Sequence, residues 1–269
     1  MIYNDRKLHV VFCDVGQGDA IFIRTPNGSD ILVDGGPDDS VLSCLGKHMP
    51  FWDREIELVM LSHPHADHVI GLIALSKYYK IGTFVTENLK NNTFGYQTLL
   101  QSLSSQKIKI NYIYAGDKLK IKDGVSVEFV GPSKDFVLVN SPDGLIGESG
   151  EKASLESLIK YKDFSVLLTG DSQEMELEEA LRQAQGFSPV SILQIPHHGS
   201  KTGLNLTLLQ RLSPKLAIIS VGKDNKYGHP AKEVLKILND LNIKTLRTDE
   251  DGDIEIVTDG ERYGLKLKN

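Results

Sequence analysis

Short apolar runs, broken by glycine, proline and polar residues, recur along the chain and predict β-strands. These runs have the length of buried strands rather than of helices. They cover residues 8–12, 21–23, 31–33, 58–61, 81–85, 125–130, 164–168, 190–195 and 216–221. Apolar residues at helical spacing predict helices over 39–48, 69–79, 96–103, 174–184 and 231–241.

Turn signals show how several strands connect. Pro26-Asn27-Gly28 predicts a tight turn in an opening β-meander, and Lys162-Asp163 predicts a hairpin between strands 153–161 and 164–168. Further strands are predicted over 107–113, 119–121, 243–246, 253–257 and 263–267. Residues 132–152, rich in Gly, Ser, Pro and Asp, are expected to form a loop at the rim of the functional site.

The order of these elements predicts an α/β fold. Strands and helices recur in similar order in the two halves of the chain, which implies two packed β-sheets with helices on both outer faces. Candidate ligands are expected at one edge, where several strands end. The length of 269 residues and the hydrophobic content of 40% favour a single domain over 1–269.

The segment His63-Pro64-His65-Ala66-Asp67-His68 places four possible metal ligands in six positions, directly after an apolar strand. Pro64 biases His63 toward an extended backbone, and Asp67 is a candidate N-cap for the helix that follows. Alternate side chains of an extended segment share a face, so His63, His65 and Asp67 can point one way, with His68 joining them as the helix begins. A lone histidine is more often a core or surface residue, but this density suits two adjacent metal ions.

Two more acidic residues follow buried strands. Asp34 either caps its loop or orients a metal-ligating histidine, as such ligands usually require. Asp171 is either the N-cap of the helix over 174–184 or a carboxylate that bridges two metals with its two oxygens.

Three histidines lie in the last third of the chain. His197 and His198 cannot both point to one spot from an extended strand. We expect His198 to be a ligand and His197 to contact phosphate or water, with the reverse order open. His229 is either an ordinary loop residue or, with Lys201, part of the substrate site.

Composition indicates the cellular location and the redox state of the cysteines. No apolar run approaches the ~20 residues that a membrane helix requires, and the polar residues 1–6 lack the profile of a signal peptide. We therefore expect a cytoplasmic protein with no membrane segment. Cys13 and Cys44 are expected to be reduced thiols, because a chain of this size needs no disulfide.

Charge is unevenly distributed. The net charge of -6 argues against nonspecific attraction of nucleic acid to the whole surface. Residues 197–247, however, contain nine Lys and Arg against three Asp and Glu, a net charge of +6. This segment either forms a positive face beside a metal site or consists of ordinary solvated helix faces.

Several motifs in consistent order resemble the ComEC-type branch of the metallo-β-lactamase fold, over about residues 8–258. The motifs besides His63–His68 are Asp14-Val15-Gly16-Gln17-Gly18-Asp19-Ala20, Ile31-Leu32-Val33-Asp34-Gly35-Gly36, Leu168-Thr169-Gly170-Asp171, His197-His198-Gly199-Ser200-Lys201, and Ser220-Val221-Gly222 with Asn225 and Tyr227-Gly228-His229-Pro230. The resemblance implies a four-layer αββα sandwich, two divalent metal ions and the phosphodiesterase or DNase activity proposed for that branch.

The resemblance also implies a role for each ligand. One metal would be bound by His63 and His65, and the other by Asp67, His68 and His198. Asp171 would bridge the two ions, with Asp34 behind them.

One feature departs from the superfamily pattern. Many members have a third histidine for the first metal between the two halves, but residues 69–196 contain no histidine. The segment 151–155 resembles the part that replaces it in ComEC-like members, with Glu151 where Asn is expected. The first site would then be weakly held and completed by water, Ser154 or a nearby acid. Fewer imidazoles also shift the expected ion from zinc toward manganese or another ion that accepts oxygen ligands.

The expected function is metal-dependent hydrolysis of a phosphodiester, with DNA as the favoured substrate. A hydroxide generated at the dinuclear centre would attack the phosphate. His197, Lys201 and His229 would hold the phosphate, and His229 is a candidate to protonate the leaving oxygen. Alternatives are hydrolysis of a small ester, thioester or lactam, and a non-enzymatic binding or sensor module with a decayed site. A protein partner of unassigned identity is a further expectation.

Overall fold

The computed structural model describes residues 5–121, 123–146, 153–183 and 187–267. The strands within these ranges are β1 (Leu8–Phe12), β2 (Ile21–Arg24), β3 (Asp30–Val33), β4 (Glu55–Leu61), β5 (Lys80–Thr86), β6 (Ile110–Tyr112), β7 (Lys118–Lys120), β8 (Val125–Gly131), β9 (Glu156–Tyr161), β10 (Phe164–Leu168), β11 (Ile192–Gln194), β12 (Leu216–Ile219), β13 (Lys244–Arg247), β14 (Ile254–Thr258) and β15 (Tyr263–Leu267).

The α-helices of the same ranges are α1 (Ser40–His48), α2 (Ala66–Tyr78), α3 (Phe94–Ser105), α4 (Lys134–Asn140), α5 (Glu174–Gln183), α6 (Leu206–Leu212), α7 (Lys232–Asp240) and α8 (Thr248–Asp251). A 3-10 turn covers Pro196–Gly199. No helix in the described parts of the chain is both long enough and apolar enough to cross a membrane.

The strands form two mixed sheets. The first has the order β15-β14-β1-β2-β3-β4-β5-β6, and the second has the order β13-β12-β11-β10-β9-β8-β7. The opening meander β1–β3 is antiparallel, as expected, whereas β3 to β6 run parallel to one another. In the second sheet, β10 to β13 are parallel.

Three apolar layers hold the sheets and helices together. Leu8, Val10 and Phe12 on β1 belong to a core between the two sheets, whereas Val11 faces the helices, because successive side chains of a strand point to opposite faces. Helices α1, α2 and α3 cover the first sheet. Helices α5, α6 and α7 cover the second. This arrangement confirms the four-layer αββα sandwich.

Local structure differs from expectation in several places. Residues 134–140, expected to be loop, form α4, whose first turn is capped by the Ser133 hydroxyl accepting from the Phe136 N–H at 3.1 Å. Helix α6 was not predicted, and Asn205 caps it in the same way through the Leu208 N–H. Asp67 is not the N-cap of α2, since that position is occupied by His65 and Asp67 lies in the first turn.

The expectation of free thiols is wrong in this structure, where Cys13 and Cys44 form a disulfide. They are 31 positions apart in sequence, but α1 packs on the first sheet beside the end of β1. Both cysteines are buried. The spacing of two distant cysteines gave no sign of this packing.

Candidate metal centre

The candidate ligands lie where parallel strands end. Asp34 follows β3, His63 follows β4, and Asp171 follows β10. The 3-10 turn that contains His198 follows β11. The carboxyl ends of neighbouring parallel strands meet at one edge, and ligand sites of α/β sheets form there. The ends of both sheets contribute side chains to one cleft.

Asp34 orients the imidazole of His68. Its carboxylate is fully buried and accepts hydrogen bonds from the backbone N–H and the hydroxyl of Ser62, at 2.7 and 2.6 Å. The same carboxylate lies 2.8 Å from Nδ1 of His68. This contact directs Nε2 of His68 toward Asp171, which is the geometry expected of a carboxylate that orients a ligand.

His63 and His65 approach each other from the turn between β4 and α2. Nε2 of His63 lies 3.1 Å from Nδ1 of His65. Nε2 of His63 is also 3.7 Å from Oδ2 of Asp171. The turn therefore places Nε2 of His63 beside both Nδ1 of His65 and Oδ2 of Asp171.

Asp171 lies between two groups of histidines. Its Oδ1 is 3.5 Å from Nε2 of His68 and 3.4 Å from Nε2 of His198. Its Oδ2 is 3.7 Å from Nε2 of His63 and 3.8 Å from Nε2 of His197. Asp67 joins the Oδ1 side, with its Oδ2 3.6 Å from Nε2 of His198.

These separations are those of ligands that share an ion. Two ligand atoms about 2.1 Å from one ion, at the tetrahedral angle, are roughly 3.4 Å apart. One ligand atom each from Asp67, His68, Asp171 and His198 lies within 4.8 Å of the others. Oδ1 of Asp171 and Nε2 of His68 and His198 are buried with no hydrogen-bond partner among the described residues. Buried polar atoms are normally paired, so their convergence fits a bound cation.

His197 and His198 face different oxygens of Asp171, because they lie on a turn and not on a strand. Their backbones adopt left-handed φ angles of 51° at His197 and 55° at His198. Nδ1 of His198 contacts the backbone carbonyl of Ser220 at 2.9 Å, which directs Nε2 toward Asp171. His198 is buried, whereas His197 is partly open to the cleft. The geometry favours His198 as the ligand.

Burial and charge together shift the pKa values of these groups. Burial alone would lower the pKa of His198, but the carboxylates of Asp171, Asp67 and Asp19 raise it to about 9. Burial and the neighbouring His68 hold the pKa of His63 well below its usual range. Burial opposes ionisation of Asp67, yet His68 and His198 lower its pKa. The acidic groups thus favour positive charge in the pocket, which a proton or a metal cation can provide.

A cleft of about 770 Å³ opens onto this cluster. His65, Asp67, Asp171, His197, His198 and His229 all line it, together with Gln17 and Tyr227. The ring centroids of His197 and His229 are 5.6 Å apart. Lys201 lies instead in a neighbouring depression with Glu174 and Met175, so the structure does not bring it to the cleft.

A further part of the cleft lining was predicted only in part. It is formed by Asn91, Asn92 and Thr93, and by Asp143, Leu145 and Ile146. Two backbone hydrogen bonds, Lys90 N–H to Gly144 and Ile146 N–H to Lys90, join these segments. The segment within 132–152 therefore does lie at the rim of the cleft. The Asn91-Asn92 pair is a turn signal, but its position beside the cleft depends on tertiary packing.

Asp19 is a second unassigned residue beside the centre. Both of its carboxylate oxygens are buried without a hydrogen-bond partner among the described residues, 3.9 Å from Nδ1 of His68 and 3.9 Å from Nδ1 of His198. Burial raises its pKa to about 6, although both histidines oppose that shift. Ser154 supports the centre differently, since its hydroxyl accepts from the backbone N–H of Asp171 at 3.1 Å. Glu151 lies outside the described residues.

Known proteins share both sequence and fold with this chain. Residues 13–223 match the family model described as the metallo-beta-lactamase superfamily. ComE operon protein 3 of Bacillus subtilis is 29% identical over 90% of the chain, and Competence protein ComA of Neisseria gonorrhoeae is 26% identical over 93%. The chain spans 32% of the length of each of these relatives.

A solved structure supports the fold alone. The metallo-beta-lactamase fold protein YhfI from Bacillus subtilis aligns with a TM-score of 0.59 and 12% identity, covering 94% of this chain and all of that one. The curated relatives confirm the resemblance to ComEC-type proteins that the motifs indicated. With its sandwich architecture and its family match over most of its length, this chain belongs to the metallo-beta-lactamase superfamily, a family of metal-dependent hydrolases.

Proposed function

We propose that this chain is a phosphodiesterase that uses two divalent metal ions to cleave nucleic acid, with DNA as the favoured substrate. The observation that carries the proposal is the position of Asp171. One of its oxygens faces His68 and His198, and the other faces His63 and His197. A carboxylate shared in this way suits a bridging ligand.

The donor set fits zinc or manganese. His63, His65 and Asp171 would hold one ion, and Asp67, His68, His198 and Asp171 the other. These donors are nitrogen and oxygen atoms only, which suit both metals. When bound, such a pair of ions lowers the pKa of water and neutralises the charge of a phosphate. Asp34 keeps Nε2 of His68 available by engaging its Nδ1.

His197 and His229 would act on the substrate. Burial and the neighbouring His197 and His198 lower the pKa of His229, so its ring is a neutral hydrogen-bond donor in the free protein near pH 7. A bound phosphate would raise that pKa, which favours transfer of a proton to the leaving oxygen. His197 borders the cleft on the Oδ2 side of Asp171, where it can contact the phosphate.

The outer part of the cleft favours a nucleic acid over a small ester or lactam. Tyr227 is exposed, and its ring stacks on His229 with centroids 5.8 Å apart. Asn225 fixes this loop by accepting from the N–H groups of Tyr227 and His229. Exposed Lys223 and Lys226 lie beside it. An aromatic ring next to basic residues can stack a base while the backbone phosphate enters the site.

The similarity to competence proteins also supports a DNA substrate, although the chain spans only a third of those relatives. A protein partner that supplies the remaining functions is part of this proposal, as is location in the cytoplasm. The presence of the complete cluster around Asp171 speaks against a sensor with a decayed site.

A substrate panel tests the proposal. Plasmid DNA, single-stranded DNA, bis-p-nitrophenyl phosphate and the lactam nitrocefin are each incubated with Mn²⁺ or Zn²⁺. We expect cleavage of the phosphodiesters and little turnover of nitrocefin. The reverse preference would favour the lactam hydrolase, and failure to bind either metal would favour the non-enzymatic alternative.

Three variants assign the roles. Asp67→Ala should abolish cleavage and leave the fold intact, and His229→Ala should lower turnover without changing metal content. Asp163→Ala is the matched control, because this exposed aspartate lies at the opposite end of β10 from Asp171. Full activity of Asp67→Ala would reject the assignment.

A further inference from the structure

A second group of side chains that could bind a metal lies away from the cleft, where three segments of the chain meet. Cys13 follows β1, Cys44 and His48 are one turn apart on α1, and Asp253 precedes β14. Phe12 pairs with Ile254 in the sheet, so Cys13 and Asp253 occupy adjacent positions on neighbouring strands. One ligand atom each from Cys44, His48 and Asp253 lies within 4.8 Å of the others. Sγ of Cys13 is at the same place because it is bonded to Sγ of Cys44.

The imidazole of His48 is oriented as a metal ligand would be. Its Nε2 lies 3.5 Å from Oδ2 of Asp253, close to the roughly 3.4 Å that separates two tetrahedral ligands of one ion. Its buried Nδ1 has no hydrogen-bond partner among the residues described and faces Oε2 of Glu255 at 3.8 Å. Ligating histidines commonly direct their second nitrogen to a carboxylate in this way.

Asp253 is held in place by two neighbours, Asp14 and Lys47. Its Oδ1 accepts from the backbone N–H of Asp14 at 2.9 Å. Its Oδ2 pairs with Nζ of Lys47 at 2.8 Å. Lys47 is 42% exposed, so its long side chain can turn toward solvent when a cation replaces it. Cys13, Cys44 and Asp253 themselves are at most 5% exposed.

We propose that reduction of the Cys13–Cys44 disulfide creates a zinc site formed by Cys13, Cys44, His48 and Asp253. A dithiol reductant gives two electrons and two protons to the disulfide and becomes a disulfide itself, leaving two thiols on this chain. Binding of Zn²⁺ then releases both thiol protons, since the thiolate is the metal ligand. The disulfide and the zinc complex are therefore mutually exclusive states of the same two sulfurs.

This site is separate from the proposed catalytic centre, but one turn of the chain connects the two. The turn from Asp14 to Asp19 starts at Cys13 and ends against α2, where the Asp19 N–H contacts the Asp67 carbonyl at 3.4 Å. A metal at Cys13 would fix the start of the turn that supports Asp67. Two thiolates and an imidazole form a soft donor set, which selects zinc over manganese or magnesium.

Cobalt spectroscopy tests the proposal, because Co²⁺ substitutes for zinc and its thiolate complexes absorb in the near ultraviolet. The protein is reduced with dithiothreitol, desalted without oxygen and titrated with Co²⁺. We expect thiolate-to-cobalt absorption that saturates during the titration and disappears when Zn²⁺ is added. The oxidised protein should show none. Folded, reduced protein without this absorption would overturn the proposal.

Variants distinguish a four-ligand site from metal binding by the two thiols alone. His48→Ala should weaken Co²⁺ binding by at least about tenfold, because loss of even an outer-shell partner often costs that much. Asp253→Asn, which preserves size, should weaken binding in the same direction. Lys47→Ala is the control on the same helix and should bind Co²⁺ at least as tightly as the parent protein. Unchanged affinity in both His48→Ala and Asp253→Asn would refute the four-ligand site.

The active-site variant Asp67→Ala distinguishes this proposal from the catalytic one. The cleft centre contains no sulfur, so its cobalt complex gives no thiolate absorption. We expect Asp67→Ala to retain the thiolate-to-cobalt band at full intensity. Loss of the band in that variant, with the fold intact by circular dichroism, would contradict a separate site.

Discussion

Single side chains at the candidate centre are positioned by their second contacts. Asp34 engages His68, and the Ser220 carbonyl engages His198, so that both Nε2 atoms face Asp171. The sequence identified the candidate ligands, because four of them occur in one short motif. It did not predict the left-handed turn that separates His197 from His198, since that backbone depends on tertiary packing.

The first prediction concerns Asp34→Asn. The amide keeps the size of the carboxylate but places an N–H₂ group among donors from Ser62 and His68, so His68 loses its fixed orientation. We expect metal affinity to fall by roughly 10–100-fold while the fold is retained. Metal titration of the variant and of Asp163→Asn measures this. Equal affinities in the two would show that Asp34 has no orienting role.

The second prediction concerns the fully buried Glu156, in the first position of β9. Burial raises its pKa from 4.5 to about 8, with Ser172 opposing the shift and Glu179 adding to it. Between these pH values the folded chain keeps a proton that the unfolded chain releases, so this residue's contribution to stability falls as pH rises from about 4.5 to 8. At about 1.4 kcal/mol per pKa unit, the loss is on the order of 5 kcal/mol.

Glu156→Gln removes this titration and should lose less stability than the parent protein between pH 5 and pH 8.5. Urea unfolding at the two pH values gives the difference. Glu261→Gln, at an exposed turn, is the control and should follow the parent protein. A parallel pH dependence of Glu156→Gln and the parent protein would show that Glu156 is ionised in the folded state.

At the scale of elements, α2 packs closely against backbone near the centre. Gly71 of α2 lies against the loop after β3, where an added Cβ would overlap the carbonyl oxygen of Gly35 and meet that of Asp38 at 2.7 Å. Asp67 and His68 are in the first turn of the same helix. The strand-to-helix change was predictable from periodicity, but this backbone contact was not, because a glycine inside a helical pattern does not reveal what lies opposite it.

The third prediction is that Gly71→Ala displaces α2 and with it the candidate metal ligands Asp67 and His68. We expect a loss of roughly 1–3 kcal/mol in the free energy of unfolding, from overpacking against backbone. Metal affinity should also decrease. Gly46→Ala on α1 is the matched control, because its Cβ would meet nothing within 4 Å and alanine favours the helix by up to about 1 kcal/mol. A Gly71→Ala variant as stable as Gly46→Ala would contradict the close packing.

At the scale of the molecule, the sheets meet so that candidate ligands 133 positions apart in sequence, from His65 to His198, share one cleft. The order of strands and helices was enough to predict the αββα layers, because each element carries its own periodicity. The disulfide, the capped helices α4 and α6, and the wall around Asn91 were not predictable in this way. Each depends on contacts between segments that are distant in sequence.

The fourth prediction, and the most direct test of the central claim, is the number of Mn²⁺ ions bound per chain at which hydrolysis of bis-p-nitrophenyl phosphate reaches its maximum. The arrangement of histidines on both oxygens of Asp171 predicts that activity requires two ions and is lost on chelation. Maximal hydrolysis with one bound ion, or with none, would contradict the dinuclear centre.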